Sequence, residues 1–541
     1  MISLGRRLLA LLLWVIAVTV VVTPVRAASL EALVRQLGSD DFAAKVAAAQ
    51  GLGQLGDPRA AAPLQALSDG RLYVDADGRV LIAETDAADS RILDALTQQP
   101  VAGLALDSLD KVRANNRLRG VIEASLAGLG LFSPDRDRRL AAARDALGHP
   151  SAGATAALQK ALAAESDPAV KDAMGLALAG AKLAAGSSAE RLAAIDTLSQ
   201  STDPQVRALL GQAAAATDGD PAVAAAARDQ LARLEHRLAL IGVGVDLFQG
   251  ISLGSVLLLA AIGLSITFGV MGVINMAHGE MIMLGAYATY VTQEAFRALL
   301  PAGLLDFYLV AALPVAFLAA AAVGVALERG IIRFLYGRPL ETLLATWGIS
   351  LILQQAVRSI FGAPNKEVMN PSWMTGGFAI TGGFIVTWNR LAIIAFCLVV
   401  LGAMALLLAR SRFGLQMRAV AQNRQMASAM GIATARIDAL TFGLGSGIAG
   451  MAGVALSQIG NVSPNLGTLY IVDSFLVVVF GGVGTLSGTV VGAFSLGIVN
   501  KLLEPFAGAV LGKVIVLVAI ILFIQRRPRG LFALKGRAAE A

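Results

Sequence analysis

Long apolar stretches recur through residues 240–530, separated by short polar connections. A helix that crosses a membrane needs roughly 20 mostly apolar residues. The pattern predicts nine spans: Phe248–Val270, Met281–Thr292, Phe307–Leu327, Leu340–Phe361, Leu391–Ala409, Ala439–Ile459, Ile471–Phe480, Val490–Val499 and Val514–Ile524. The shorter ones must borrow flanking residues or be broken, partly re-entrant helices. An earlier apolar run, Leu8–Val22, follows Arg6 and Arg7 and precedes Pro24 and Val25-Arg26-Ala27. That order predicts a secretory signal over residues 1–27 with cleavage after Ala27. An uncleaved anchor helix is the other reading of the run. Both send the segment from Ala28 out of the cytoplasm.

Residues 28–235 have a different texture, rich in Ala and Leu with charges on alternate faces. Prolines at 134, 150, 168, 204 and 221 predict successive helix starts, since a first helical turn tolerates the missing N–H. The long step between Pro168 and Pro204 counts as two, with Ser187-Ser188 at the unmarked start. Asp167, Asp203 and Asp220 precede three of the prolines as N-cap candidates. A helix about every 17 residues suggests an α-solenoid, and the segment resembles HEAT-like repeats. Leu72–Ile82 reads as a hairpin around Asp77-Gly78. Such a domain either docks a soluble partner or caps the exported surface. The fold class expected is therefore all-α. A polytopic membrane domain (240–534) of about nine spans follows an extracytoplasmic helical-repeat domain (28–235), and residues 535–541 form a cytoplasmic tail.

Composition supports this division. The 541 residues are 56% hydrophobic and 15% charged, against about 25% charged in soluble domains, which excludes a fully soluble chain. Residues 1–235 carry 24 Lys+Arg against 27 Asp+Glu, and residues 236–541 carry 20 against 11. The positive balance belongs to the membrane half, so it does not point to nucleic acid. Arg329, Arg333 and Arg338 fall in one connection, Arg410, Arg412, Arg418, Arg424 and Arg436 in another, and Arg526, Arg527, Arg529, Lys535 and Arg537 follow the last span. Nine spans from an outside start put all three clusters inside, as the positive-inside rule requires. Cys397 is the only cysteine, and His149, His236 and His278 lack metal-ligand spacing. The glycines at 481, 482, 484 and 488 are not followed by a P-loop Lys-Ser/Thr, and Gly508–Lys513 has Val514 where the hydroxyl belongs. No catalytic, cofactor or metal site is expected, and the energy for pumping must come from another subunit or an ion gradient.

Polar residues in and between the spans are the candidate chemistry, because an intramembrane polar group needs a reason. Asn275-Met276-Ala277-His278-Gly279-Glu280 joins the first two spans. It reads either as a structured turn near a translocation path, with His278 and Glu280 holding each other or neighbouring helix ends, or as a solvated inner loop. In the fourth span Thr346, Ser350 and Gln354 recur every four residues and form one polar stripe. The stripe offers hydrogen bonds either to a solute in transit or to a neighbouring helix. In the inner loop, Arg418–Met430 reads as a short basic helix with small residues, ended by Gly431. It suits a groove on a cytoplasmic partner or an anionic lipid surface.

Gly272–Tyr290 (GVINMAHGEMIMLGAYATY) resembles the signature segment of the permeases of branched-chain amino acid ABC importers. Leu343–Gln355, Arg418–Phe442, Val479–Ala493 and Arg526–Phe532 carry further matching stretches in the same order. The long exported extension and the wording of Ala261–Tyr290 are similar to the urea-importer branch of this family. The resemblance implies an inner-membrane importer with a second permease, two ATPases and a periplasmic solute-binding protein. It puts the N-terminal domain in the periplasm and the C-terminus in the cytoplasm. It also implies that Arg418–Gly431, with Arg418, Ala421, Asn423, Ala427, Met430 and Gly431, is the coupling loop that docks on the ATPase. Asn275, His278, Glu280, Thr346, Ser350 and Gln354 remain the candidate path. Import of branched-chain amino acids, an ATP-independent urea channel or carrier, and an anchored scaffold are the competing functions.

Overall fold

The computed structural model describes residues 29–532 apart from 86–89, 102, 103, 105 and 217–219. The expected signal segment and cytoplasmic tail lie outside the described residues. The chain divides into two compact units, 1–236 and 237–541.

Among the described residues the first unit contains nine helices, α1 (Leu30–Leu37), α2 (Phe42–Leu55), α3 (Ala61–Ser68), α4 (Asn116–Gly130), α5 (Arg136–Gly148), α6 (Thr155–Ala164), α7 (Pro168–Ala185), α8 (Ser188–Leu198) and α9 (Pro204–Ala215). It also holds the start of α10 (Pro221–Met271). Asp167, Asp203 and Asp220 each accept backbone N–H bonds at a helix start, at 2.8–3.1 Å. A capping box between Ser187 and Glu190 opens α8. Pro134 and Pro150 do not open helices as expected. Asp135 caps α5 instead, and a short 3-10 turn precedes α6.

The all-α expectation fails in this unit. A four-stranded antiparallel sheet forms from β1 (Leu72–Val74), β2 (Val80–Ala83), β3 (Ile92–Asp94) and β4 (Asp110–Lys111), in the order β3-β2-β1-β4. β1 and β2 make the expected hairpin, pairing Leu72 with Ile82. Two strands of two and three residues extend it, too short to show any alternation. In the hairpin turn the Asp75 carboxylate is occupied by the backbone N–H of Asp77 and Arg79 and by the Arg79 side chain.

Arg139 joins α5 to the turn before α7. Its Nε and Nη2 donate to both oxygens of Glu165, at 2.6 and 3.1 Å, and the Glu165 side chain is only 3% exposed. The Arg139 hydrogen bond, aided by the N–H of Asp167 and Ser166, holds the Glu165 carboxyl below its ordinary range. The stabilisation is therefore complete above the ordinary carboxylate pKa and is lost as pH falls through the depressed one. Around residues 133–167 of the full chain, hydrogen exchange corrected for intrinsic rate should lose about tenfold in protection on acidification. Glu165→Gln should show the lower protection already at neutral pH. An acid response as large as wild type in Glu165→Gln would remove this pair as the cause.

The second unit holds the rest of α10, then α11 (His278–Leu299), α12 (Tyr308–Gly330), α13 (Pro339–Phe361), α14 (Trp388–Arg410), α15 (Arg412–Gln422), α16 (Arg424–Ala429), α17 (Thr434–Ser457), α18 (Leu466–Gly481) and α19 (Leu486–Arg526). Before α14 an exposed hairpin, β5 (Gly377–Thr381) and β6 (Phe384–Thr387), is a second departure from all-α. Among the described residues, six helices are long and apolar enough to cross a membrane: α10, the stretch Gly303–Phe334 around α12, α13, α14, α17 and α19. The nine expected spans do not reduce to nine such helices. Met281–Thr292 lies in α11, which carries buried polar residues, and Ile471–Phe480 lies in the 16-residue α18.

The last two expected spans share α19, which folds back on itself at Gly508. There φ is 75° and ψ 163°, outside the helical region. A Cβ on Gly512 would sit 3.6 Å from Leu503 Cβ, whereas nine residues along a straight helix span about 13 Å. Both ends of α19 meet at Gly481. Gly488 packs on Gly481 at the start, and beyond the end Leu531 and Phe532 donate backbone N–H to Phe480 and Gly481.

Helices α10, α11, α12 and α17 form the close-packed centre. A Cβ on Gly285 would lie 2.0 Å from the Gly450 carbonyl oxygen, and one on Gly453 would lie 2.0 Å from that of Ile282. Small residues let α11 and α17 touch backbone to backbone, where van der Waals packing replaces the hydrophobic drive absent in lipid.

Candidate functional site

The two polar motifs of the membrane half meet. α11 begins at His278, after a turn in which Asn275 Oδ1 accepts the Ala277 N–H at 3.0 Å. This puts Glu280 in the first helical turn, facing the stripe on α13. Glu280 Oε1 accepts from Ser350 Oγ at 2.8 Å and from Gln354 Nε2 at 2.9 Å. Thr346 Oγ1 accepts the Met276 N–H at 3.1 Å and donates to the Thr342 carbonyl at 2.8 Å. Four of the six candidate path residues, Glu280, Thr346, Ser350 and Gln354, thus belong to one contact between the 275–280 turn and α13, and Asn275 shapes the turn. Glu280 is 1% exposed, so the solvated-loop reading of this segment does not hold.

His278 departs from expectation. It does not hold Glu280; its Nε2 donates to the Ala260 carbonyl of α10 at 3.1 Å, and the ring packs on Gly263. A buried imidazole takes the nearest open carbonyl, here on the other side of α11 from the stripe. Its role is to lock α11 against α10. Glu280 Oε2, Asn275 Nδ2 and His278 Nδ1 have no hydrogen-bond partner among the described residues.

Three further residues lie beside this polar cluster. Gln354 Nε2 also donates to Thr468 Oγ1 of α18 at 3.0 Å, and Arg358 Nη2 donates to Asn465 Oδ1 at 2.5 Å. Arg358 continues the four-residue spacing of the stripe and was legible there. Thr468 and Asn465 carry no periodic signal. The hydrogen-bonded row runs from buried Glu280 to exposed Thr468, and its donors to the carboxylate are uncharged. Such a recess can exchange internal hydrogen bonds for bonds to a small polar molecule.

The loop between α14 and α17 differs from the single helix expected over Arg418–Met430. It forms two helices, α15 and α16, broken at Asn423, whose Oδ1 accepts the Met426 N–H at 2.9 Å and caps α16. The asparagine side chain competes with the helix and starts a new one. Gly431 ends α16 as expected. Its φ is 83°, and the Gly431 and Ile432 N–H bonds return to Ser428 and Ala427. Arg418 donates to the Leu408 carbonyl, tying α15 to the end of α14. Ala427 is buried and Ala421 half-buried, while Asn423, Met430 and Gly431 are exposed. Met426 and Met430 project at 61% and 77% exposure, an apolar tip with adaptable side chains. Among the described residues no cluster of His, Cys, Asp or Glu fits a metal ion.

The second unit thus pairs a buried polar cluster with a projecting helical loop. The family profile described as "Branched-chain amino acid transport system / permease component" matches residues 247–524, and the chain belongs to that family. It is 31% identical over 292 residues to the high-affinity branched-chain amino acid transport system permease protein BraD of Pseudomonas aeruginosa, covering 53% of this chain and 94% of the relative. It is 32% identical over 293 residues to the permease LivH of Escherichia coli K12, with the same coverage. A shorter likeness, 38% over 101 residues, links it to the autoinducer 2 import permease LsrC of Salmonella paratyphi B, covering 18% of this chain and 29% of that one. No solved structure matches the chain. Residues 29–236 lie outside the family match.

Proposed function

We propose that the chain is the membrane-spanning subunit of an ATP-driven importer for urea or a short amide in the bacterial inner membrane. It works with a second permease, two ATPase subunits and a solute-binding protein outside the membrane. The carrying observation is the Glu280 recess, a carboxylate met by the uncharged donors Ser350 and Gln354. A neutral diamide gives N–H donors to the carboxylate and a carbonyl to the amide and hydroxyl, so it replaces the internal bonds group for group. A zwitterion also needs a cation, and Arg358, the one cation on α13, donates to Asn465 and makes no bond to Glu280. Similarity to the urea-importer branch over Ala261–Tyr290 points the same way. A second reading, import of branched-chain amino acids, is supported by the names of BraD and LivH and the 94% of their lengths that align.

In this reading the first unit lies outside the membrane, nine segments cross it, and the C-terminus lies inside. Arg418, Ala421, Asn423, Ala427, Met430 and Gly431 form the loop that docks on the ATPase, supported by the exposed methionine tip. Proteoliposomes with the chain alone should take up neither labelled urea nor labelled leucine. Adding the second permease, ATPases, binding protein and ATP should give urea uptake at least about tenfold above leucine. Nucleotide-free uptake by the lone chain would sink the importer reading. ATP-driven uptake of leucine without urea would transfer it to the second reading.

A further inference from the structure

Asp438 is the fifth residue of α17, and its side chain is fully buried. Its counter-charge comes from the inner loop: the Arg424 guanidinium, at the start of α16, pairs with Asp438 Oδ2. The second oxygen, Oδ1, has no hydrogen-bond partner among the described residues. The same guanidinium lies over the Tyr336 ring, 4.4 Å from its centroid, and the Tyr336 hydroxyl donates to Glu328 Oε1 at 3.3 Å. Glu328, in the last turn of α12, is itself buried. One arginine from the projecting loop is thus clamped between α17 and the end of α12. Moving the loop away alone would strand a buried carboxylate without its cation, which is strongly unfavourable. Loop and helices must therefore move together.

What α17 touches gives that movement a destination. One turn after Asp438, Phe442 is buried against Ile332 and Val273, and Val273 lies two residues before Asn275. Further along, Gly445 packs on Gly263 beside His278, and Gly450 and Gly453 lock α17 onto α11, which carries Glu280. These are backbone contacts with no soft side chain between them, so α17 and α11 shift as one body.

We propose that Arg424, Asp438 and Tyr336 form the joint that carries motion of the inner loop into the helices holding the Glu280 recess. They are positioning residues, acting through α17 and touching no solute. The proposal rests on the importer reading above. It explains why the loop is broken at Asn423: the break lets Arg424, the first residue of α16 and itself 41% exposed, reach the buried Asp438 while the methionine tip faces out.

The test uses the complete importer in proteoliposomes and measures labelled urea or leucine, whichever the wild type imports, per ATP hydrolysed. Asp438→Asn and Arg424→Gln should each lower that ratio about tenfold while ATP hydrolysis continues. The double variant R424D/D438R should restore it to within about threefold, because the pair re-forms with the charges exchanged. A purely structural role would lower assembly and hydrolysis together and leave the ratio unmoved. The joint is overturned if the single variants keep the wild-type ratio, or if the exchanged pair assembles without restoring it. Uptake by the wild-type complex that needs no ATP overturns the importer reading and the joint with it, a result distinct from normal coupling in every variant.

Discussion

Gly453→Val abolishes the folded membrane unit. The added Cβ would sit 2.0 Å from the Ile282 carbonyl oxygen, and the neighbouring Ala286 nitrogen is 2.7 Å away. Both obstacles are backbone within α11, so no rotamer change relieves them. α17 must separate from α11, and the contact at Gly285 and Gly450 opens with it. Overpacking of this kind costs about 3 kcal/mol or more, and in lipid no hydrophobic gain offsets it. Monodisperse protein in detergent size-exclusion chromatography should fall by more than about tenfold. Valine at Gly402, where nothing lies within 4 Å of the added carbon, should leave the yield unchanged. Equal yields for the two variants would mean that α11 and α17 are not in backbone contact.

Glu280→Ala should remove uptake with the complex intact. It deletes the acceptor of Ser350 and Gln354 and leaves two donors facing a void in the bundle. Hydrogen bonds to a charged group are worth about 1.5–3 kcal/mol each. A solute that depends on one of them in transit loses about a hundredfold in rate. Glu280→Gln keeps size and one acceptor oxygen and should fall less, by about tenfold. Uptake should be measured with the amount of complex recovered through a tagged ATPase subunit. Normal uptake with Glu280→Ala would make the recess a helix–helix contact and nothing more. Normal uptake in Ser350→Ala alone would not, because Gln354 still reaches the same oxygen.

The membrane half of the fold was legible because a bilayer imposes one requirement, a long apolar run, that composition states directly. The stripe at Thr346, Ser350 and Gln354 was legible for the same reason, as three polar groups at helical spacing against an apolar background. Which helix the stripe would face was not. Neighbour choice among spans depends on matched small residues such as Gly285 with Gly450, and glycine is abundant throughout this half. Glu280 could therefore be flagged, but its bonds to Ser350 and Gln354 could not be read, nor could the sequence choose for His278 between Glu280 and a neighbouring helix. Asn465 and Thr468 stand alone in their segment and had no pattern to betray them. The strands missed were two to five residues long, below the length at which alternation is visible. Asn423 was read as part of one helix because its capping role depends on backbone geometry that propensity alone does not fix.

The turn at Gly508 bears on how the protein is made. The returning arm of α19 opens beside Lys513, five residues past the turn. Its partner, Asp473, lies on α18 and is within 3.0 Å only when the arm has doubled back. The arm therefore gains its counter-charge only by folding back onto α18. It enters as the second leg of a pair, against a helix already in place.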